Sequence, residues 1–173
     1  MRKIFVIIAY TIMTMPVFCQ KTYYDSSKTY FSYKNSIQIE LGGYGGIYSV
    51  AYERIIFNRV NYKTTTQIGF SYYPPKTGLI AIFIPIVFNE LVSFSKHHIE
   101  FGLGYIIAKD YLIKKADNVY NWEGYFTGRI GYRYQKPNGR IILKIGFTPI
   151  IEYLHLDNPI FYPSGGLALG YCF

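Results

Sequence analysis

Three residues near the end of the chain are of types that together carry out nucleophilic catalysis. His155, Asp157 and Ser164 supply a base, an acidic group to orient it and a hydroxyl nucleophile, the combination that activates serine for acyl transfer. The spacing weakens this interpretation, because Asp157 stands only two residues from His155 and such a pair arises easily by chance. Ser164 also opens the last alternating segment, where a polar residue fits without catalysis. We therefore predict no catalytic residues.

Few other residues could hold a metal or a cofactor. His97 and His98 are adjacent, and we place both in a predicted turn, where solvated histidines are common and a metal pair is rare. The sequence contains no glycine-rich phosphate loop and no cluster of cysteines. It therefore predicts no metal site and no cofactor.

Six charged residues recur on the polar side of segments that alternate polar and apolar residues. They are Glu40, Glu53, Glu100, Arg129, Arg133 and Lys144. Three acids and three bases balance one another, and an unpaired charge in a narrow interior is strongly destabilising. We predict a paired network that plugs the interior of a barrel. The alternative is an ion or proton path lined by the same groups.

These side chains need strands to position them, and period-two alternation predicts eight. The predicted strands cover residues 36–42, 47–55, 62–73, 79–89, 99–107, 126–134, 141–148 and 167–173. The fourth fits least well, because both of its faces are apolar and Pro85 cannot donate a ladder hydrogen bond. We predict a bulge at Pro85. The pattern as a whole predicts an all-β fold, an eight-stranded antiparallel up-and-down barrel.

The connections between the predicted strands differ in length. Residues 42–46 are rich in glycine and predict a tight loop, and the two long loops are residues 109–123 and 153–163. The turns after the second, fourth and sixth strands are short. Basic residues lie at or near these short turns: Arg54, Arg59, Lys63, Lys96, Lys136 and Arg140. We expect them to meet anionic headgroups if the barrel crosses a membrane.

The two strand faces distinguish a soluble barrel from a transmembrane one. In a soluble lipocalin-like barrel the polar face meets water and carries many Lys, Glu and Thr, whereas in a membrane barrel it fills a narrow lumen. Here that face holds small residues: Gly69, Gly102, Gly104, Gly131, Gly146, Gly170, Ala51, Ala108 and Ala168. The apolar face places rings near strand ends: Tyr48, Tyr72, Tyr105, Phe126, Tyr134, Tyr171 and Phe173. Both features predict a transmembrane β-barrel with aromatic girdles.

The N-terminal residues predict export. Arg2 and Lys3 precede an apolar run over residues 4–18 that is too short for a comfortable membrane span. We predict a signal peptide over residues 1–19, a short periplasmic segment over 20–35 and the barrel over 36–173. A lipoprotein anchor at Cys19 is the alternative, but Phe18 is bulky for the position before it. If Cys19 is removed with the signal peptide, Cys172 has no intramolecular disulfide partner. We predict that Cys172 is a small inward-facing residue of the barrel.

Composition and charge exclude other classes of protein. Charged residues make up only 16% of the chain, against 20 Tyr and 13 Phe, which is typical of a β protein with a large apolar surface. The formal net charge is +8, but the basic residues lie mainly at turns instead of on one aromatic-rich face. Nucleic-acid binding is therefore not predicted.

The last ten residues resemble the C-terminal assembly signal of outer-membrane β-barrels, in which a polar residue and a glycine precede alternating apolar residues and an aromatic end. The matching residues are Ser164, Gly166, Leu169, Tyr171 and Phe173. With its eight-strand layout, the chain is similar to the small outer-membrane barrels of Gram-negative bacteria, of the OmpA/OmpX type in architecture. The resemblance implies location in the outer membrane, contact with its lipids and insertion by the barrel-assembly machinery through the final strand.

A barrel of this kind implies a structural or interaction role through its extracellular loops, here residues 109–123 and 153–163, which could contact an extracellular ligand. The alternatives are a narrow channel for small solutes or a carrier of a lipid or other hydrophobic ligand. More distant alternatives are a lipid-modifying hydrolase or acyltransferase and a secreted lipocalin-like barrel.

Overall fold

The computed structural model describes residues 30–73, 82–109, 122–152 and 160–173. Its strands are β1 (Asn35–Gly42), β2 (Tyr48–Asn58), β3 (Tyr62–Tyr72), β4 (Ile82–Phe94), β5 (His97–Lys109), β6 (Trp122–Gln135), β7 (Ile141–Phe147), β8 (Ile150–Glu152), β9 (Ile160–Tyr162) and β10 (Gly165–Cys172). The predicted signal peptide and large parts of both predicted long loops lie outside the described residues. No helix among the described residues is long and apolar enough to span a membrane.

The strands form one closed antiparallel sheet. Neighbouring strands pair in the order β5-β4-β3-β2-β1-β10-β7-β6, and β5 pairs with β6 to close the circuit. The short strand β8 continues β7 along β6, and β9 continues β10 along β8. The backbone hydrogen bond from Thr148 to Ser164 joins the two interrupted strands at 2.7 Å. Because β7 with β8 and β10 with β9 each form one interrupted strand of the barrel, the ten strands make an eight-stranded barrel. The predicted eight-stranded up-and-down barrel is confirmed.

The registers fix the width of the barrel. Starting at His97 of β5, the registered partners are in turn Tyr134, Leu143, Leu169, Ile39, Val50 and Phe70. Phe70 lies level with Ile84, whose partner in β5 is Ile107, so one circuit advances ten residues along β5. A shear of ten over eight strands gives a strand tilt of about 40° and a backbone radius of about 8 Å. Such an interior is only wide enough to be filled by side chains.

Side chains alternate between the interior and the outer surface along the strands. In β10, Gly166, Ala168 and Gly170 are buried, whereas Leu167 and Leu169 are more than half exposed. The predicted aromatic residues lie on the outer surface near strand ends, and all but the partly buried Tyr134 are exposed. The apolar face therefore points outward, which is opposite to the arrangement of a water-soluble barrel.

The predicted bulge at Pro85 is wrong. Pro85 pairs with Ile106 without interruption on the β5 side, and the register between β3 and β4 is the same before and after it. The ladder merely lacks pairs at Gly69 and Phe70 opposite the proline. A Cβ on Gly69 would lie 2.8 Å from the Pro85 ring, so the glycine makes room for the inward-facing ring. The bulge is in β2 instead, where the register shifts between Ile55 and Phe57.

Several predicted boundaries also need correction. The strand pair β4–β5 extends to a two-residue turn at Ser95 and Lys96, so His97 and His98 belong to β5 and not to the turn. Ser95 takes the left-handed conformation of a tight hairpin, with φ of 61°. The predicted loop over residues 153–163 is shorter, because residues 160–162 form β9.

Candidate functional site

The barrel interior is the candidate site, and its two ends differ in the length of their connections. The end that carries the short turns at residues 59–61, 95–96 and 136–140 is called the turn end, and the opposite end is called the loop end. All six charged residues predicted to face inward are buried there, with at most 5% of each exposed. They are called the lumen network.

The centre of the lumen network joins four strands. Arg133 of β6 donates from Nη1 to both carboxylate oxygens of Glu53 in β2, at 2.8 and 3.0 Å. Lys144 of β7 lies between two carboxylates, with Nζ 3.2 Å from Glu53 and 3.4 Å from Glu100. Neutral groups complete the shell, since Thr65 donates to Glu53 at 2.5 Å and Gln38 also donates to it. Every carboxylate in this group therefore faces at least one cation.

A second ion pair lies nearer the loop end. Arg129 pairs with Glu40 across the lumen, and its other terminal nitrogen is 3.5 Å from Glu100. Tyr44, which is fully buried, covers this pair with its ring 4.3 Å from the guanidinium carbon of Arg129. Tyr44 reaches the interior because the connection after β1 folds inward as a 3-10 turn over Gly43–Gly45. Gly43 has φ of 68°, which only glycine adopts easily, and it lies directly against the Glu40 carboxylate.

This inward turn differs from the tight loop predicted at residues 42–46. A loop on the outside would expose Tyr44, whereas Tyr44 is one of the largest fully buried side chains. A run of glycines around a single tyrosine was the available signal, because such a run allows the backbone to turn into a narrow space.

An apolar cluster covers the turn end of the lumen. Phe31 packs with Ile55 and Leu91, and its ring lies edge-on to His98 with centroids 5.1 Å apart. The segment that carries Phe31 is anchored by Asn58, which accepts from the Phe31 amide at 3.2 Å and donates to the Phe31 carbonyl at 2.9 Å. The described part of the predicted periplasmic segment thus crosses the mouth of the barrel.

Two basic residues that were predicted to be solvated at turns face the lumen instead. Lys63 was predicted to meet headgroups near a turn, but it is 1% exposed and donates to the Val60 carbonyl at 3.1 Å and to Ser93 at 2.9 Å. His98 was predicted to be solvated, but it is buried and hydrogen-bonded to Ser93 and to the Gln135 carbonyl. The period-two alternation indicates the inward direction, because Lys63 lies four residues from the inward-facing Gln67 and His98 lies two residues from the inward-facing Glu100. The other five basic residues predicted at turns are exposed.

A second apolar cluster lies at the loop end. It contains Tyr73, Phe83, Ile106, Ala108 and Tyr125, with Ile150 packed against them. The Tyr73 hydroxyl donates to the Gly45 carbonyl and accepts from the amides of Ile47 and Tyr48 at 2.7 and 3.0 Å. This side chain holds the inward turn in place, so the lumen network lies between two apolar layers.

Of the three catalytic candidates, Ser164 lies among the described residues. His155 and Asp157 lie outside the described residues. Ser164 is partly buried, and its hydroxyl is 3.5 Å from the Gly43 carbonyl, which serves the inward turn. No group of three metal-binding side chains is found in the described part of the chain. Cys172 is a free, buried thiol that accepts from Gln135 at 3.4 Å.

The residues of the proposed assembly signal divide between the two faces of β10. Leu169, Tyr171 and Phe173 are exposed on the outer surface, while Gly166 is buried. A Cβ on Gly166 would lie 2.9 Å from the Gly43 backbone, so this glycine permits the close approach of the inward turn. The last strand therefore contributes its exposed residues to the outer apolar surface and its buried residues to the packing of the lumen.

Comparisons with known proteins bear on the fold alone. No family model matches the chain, and no curated protein matches it. Among solved structures, the crystal structure of the N-terminal β-barrel domain of Pseudomonas aeruginosa OprF is similar, with a TM-score of 0.53 at 12% sequence identity. The similarity covers 82% of this chain and 100% of that chain. The chain thus has the fold of a small outer-membrane-type β-barrel domain.

Proposed function

We propose that this protein is an outer-membrane β-barrel with a lumen plugged by its own side chains, and that it has a structural or interaction role through its extracellular loops. One observation carries the proposal: six paired charges are buried inside a barrel whose outer surface is a belt of exposed aliphatic and aromatic residues. Leu103 in β5, for example, is 76% exposed. Lipid is the environment that covers such a belt.

The interior favours a plug over a conducting path. Arg133 and Lys144 both reach Glu53 across the barrel axis, and the apolar layers around Phe31 and Tyr73 lie on either side of these pairs. A permeating ion would have to displace these pairs. The rival function, a narrow solute channel or a carrier of a hydrophobic ligand, would need open space along the axis, and these contacts favour the plug over it.

The remaining parts of the proposal concern export and partners. Residues 1–19 act as a cleaved signal peptide, and the final strand is recognised by the barrel-assembly machinery of a Gram-negative cell. The outer belt contacts membrane lipids, and an extracellular ligand would meet residues 109–123 and 153–163. The protein is not an enzyme and needs no cofactor in this proposal. A lipid-modifying activity would have to involve His155, and its substitution by alanine tests this.

Liposome swelling with the refolded protein tests the plug. We expect vesicles containing the protein to shrink and recover in sugar solutions no faster than empty vesicles. Heat-modifiable migration in detergent gels provides the control that the barrel has formed. Folded protein that admits small sugars, or that gives steady single-channel current, would favour the channel instead.

A further inference from the structure

A polar patch interrupts the outer belt, and it is formed by Arg54 of β2, Thr64 and Thr66 of β3 and Glu90 of β4. Arg54 and Glu90 are exposed and point away from the lumen, and the two threonines between them are partly exposed. Arg54 is registered with Thr66, and Glu90 is registered with Thr64. The four side chains are therefore neighbours on one area of the barrel wall.

Strand tilt brings the two charges to the same height. In β4, Phe88 is registered with Thr66, and therefore with Arg54, and Glu90 lies two residues closer to the turn end. At a tilt of about 40°, two steps across the sheet from β2 to β4 move the position about 6 Å along the barrel axis toward the loop end. The two residues from Phe88 to Glu90 move it back about 5 Å toward the turn end. Arg54 and Glu90 thus lie side by side at one depth, with backbones about 11 Å apart.

Apolar residues lie above and below the patch. Toward the loop end, Ile68 and Phe88 are each more than half exposed, and toward the turn end Phe57, Tyr62 and Phe94 are exposed to a similar degree. A cation and an anion on a lipid-facing wall are destabilising unless polar groups meet them. Glu90 accepts a hydrogen bond from Thr64 at 2.7 Å, while the Arg54 side chain has no hydrogen-bond or ion-pair partner among the described residues.

We infer that this patch binds the headgroup of a phospholipid that carries both a phosphate and a primary ammonium, as phosphatidylethanolamine does. The inference rests on the proposed membrane location. The Arg54 guanidinium would donate to the phosphate, and Glu90 would accept from the ammonium. Thr66 offers a further hydroxyl, and the acyl chains would lie on Ile68 and Phe88.

The order of charges explains why one class of lipid fits. A headgroup with phosphate alone leaves Glu90 facing an anion. A choline headgroup carries the positive charge but has no N–H to donate to the carboxylate. A second copy of the chain could also pair its own Arg54 with Glu90, but the exposed rings of Tyr52 and Tyr62 flank the patch on its own strands, and such aromatic residues mark the headgroup region.

Native mass spectrometry of the folded protein in detergent tests the inference. Titration with phosphatidylethanolamine, phosphatidylcholine and phosphatidylglycerol of matched acyl chains should give half-occupancy at about a tenfold lower concentration of the first lipid. E90Q should abolish the preference for phosphatidylethanolamine over phosphatidylglycerol, and R54Q should weaken the binding of both. E152Q is the matched control at the loop end and should leave the preference intact.

Two results would overturn the inference. The first is equal occupancy by the three lipids in the wild-type protein, or an unchanged preference in E90Q and R54Q. The second is a dimer that forms in place of lipid adducts and is lost in both variants, which would assign the patch to contact between copies. Each sample is also tested for heat-modifiable migration. A heat-modifiable barrel without lipid preference refutes the patch alone, whereas a protein that never becomes heat-modifiable refutes the membrane proposal as well.

Discussion

Replacement of Arg133 by methionine tests the lumen network where it is most connected. The guanidinium of Arg133 makes two hydrogen bonds to Glu53, two to Gln135 at 2.9 and 2.6 Å, and lies 3.7 Å from Glu100. Methionine fills part of the same space but provides no charge and no donor. After the substitution, two buried carboxylates share Lys144 as the nearest cation, and the six-residue network carries one net negative charge.

Removal of one partner from a buried ion pair typically costs about 3–5 kcal/mol, because the remaining charge stays desolvated. We expect R133M to lower the free energy of unfolding by an amount in this range. A second substitution, Glu53→Gln, removes the orphaned charge. The double variant should therefore recover at least half of the loss, even though it has fewer polar contacts than R133M.

Unfolding by urea in lipid vesicles measures these changes, and Trp122 reports them. It is the only tryptophan of the chain, and it is exposed on the outer surface at the loop end, far from the substitution. R140M is the matched control, because Arg140 is exposed at the turn end and its loss should lower stability far less than the loss of Arg133.

Three outcomes would refute the reasoning. R133M could be as stable as the wild-type protein, the double variant could be less stable than R133M, or R133M could produce clear single-channel current. The third result would mean that the network blocks a path that is otherwise open. In that case the lumen is a closed channel and not a permanent plug.

Three further predictions concern other parts of the barrel. L103R places a cation on the most exposed part of the outer belt and should lower stability in vesicles by about 2–4 kcal/mol, whereas L103M should be neutral; equal stability would contradict a lipid-facing surface. G43A forces a side chain onto a left-handed residue and against Glu40, so urea unfolding should show a loss of about 1–3 kcal/mol, compared with little change for G165A, where a Cβ has space. Cys172 should resist maleimide in the folded barrel and react fully in urea, as followed by peptide mass mapping; rapid labelling of folded protein would show an open turn end.

The strand count and the orientation of the faces follow from the sequence because period-two alternation is a local property. Ile37, Ile39 and Leu41 alternate with Gln38 and Glu40, and no long-range information is needed to separate the two sets. The same reasoning could have placed Lys63 and His98 inside. Their predicted positions at turns were wrong because phase within the strand, and not proximity to a turn, decides which way a side chain faces.

Other features depend on pairing between distant strands and could not be read locally. The proline in β4 looked like a bulge because its partner was unknown, whereas Gly69 lies opposite and tolerates the ring without a register shift. Phe31 and Tyr44 enter the lumen from its two ends, and their positions depend on the space that other side chains leave. Neither shows a periodic pattern, so neither was predicted as part of the interior.

The lumen network also explains how the registers are fixed. A slip of two residues between neighbouring strands keeps the apolar face outward, so the alternation alone does not exclude it. Such a slip moves a side chain by about 6.6 Å along its strand. The contacts of Arg133 with Glu53 join β6 to β2, and those of Lys144 join β7 to both β2 and β5, so a slip in any of these strands would separate buried charges. Separated charges in a narrow interior are far less stable than paired ones. The network therefore selects one set of strand registers from the several that the alternation of the outer surface would permit.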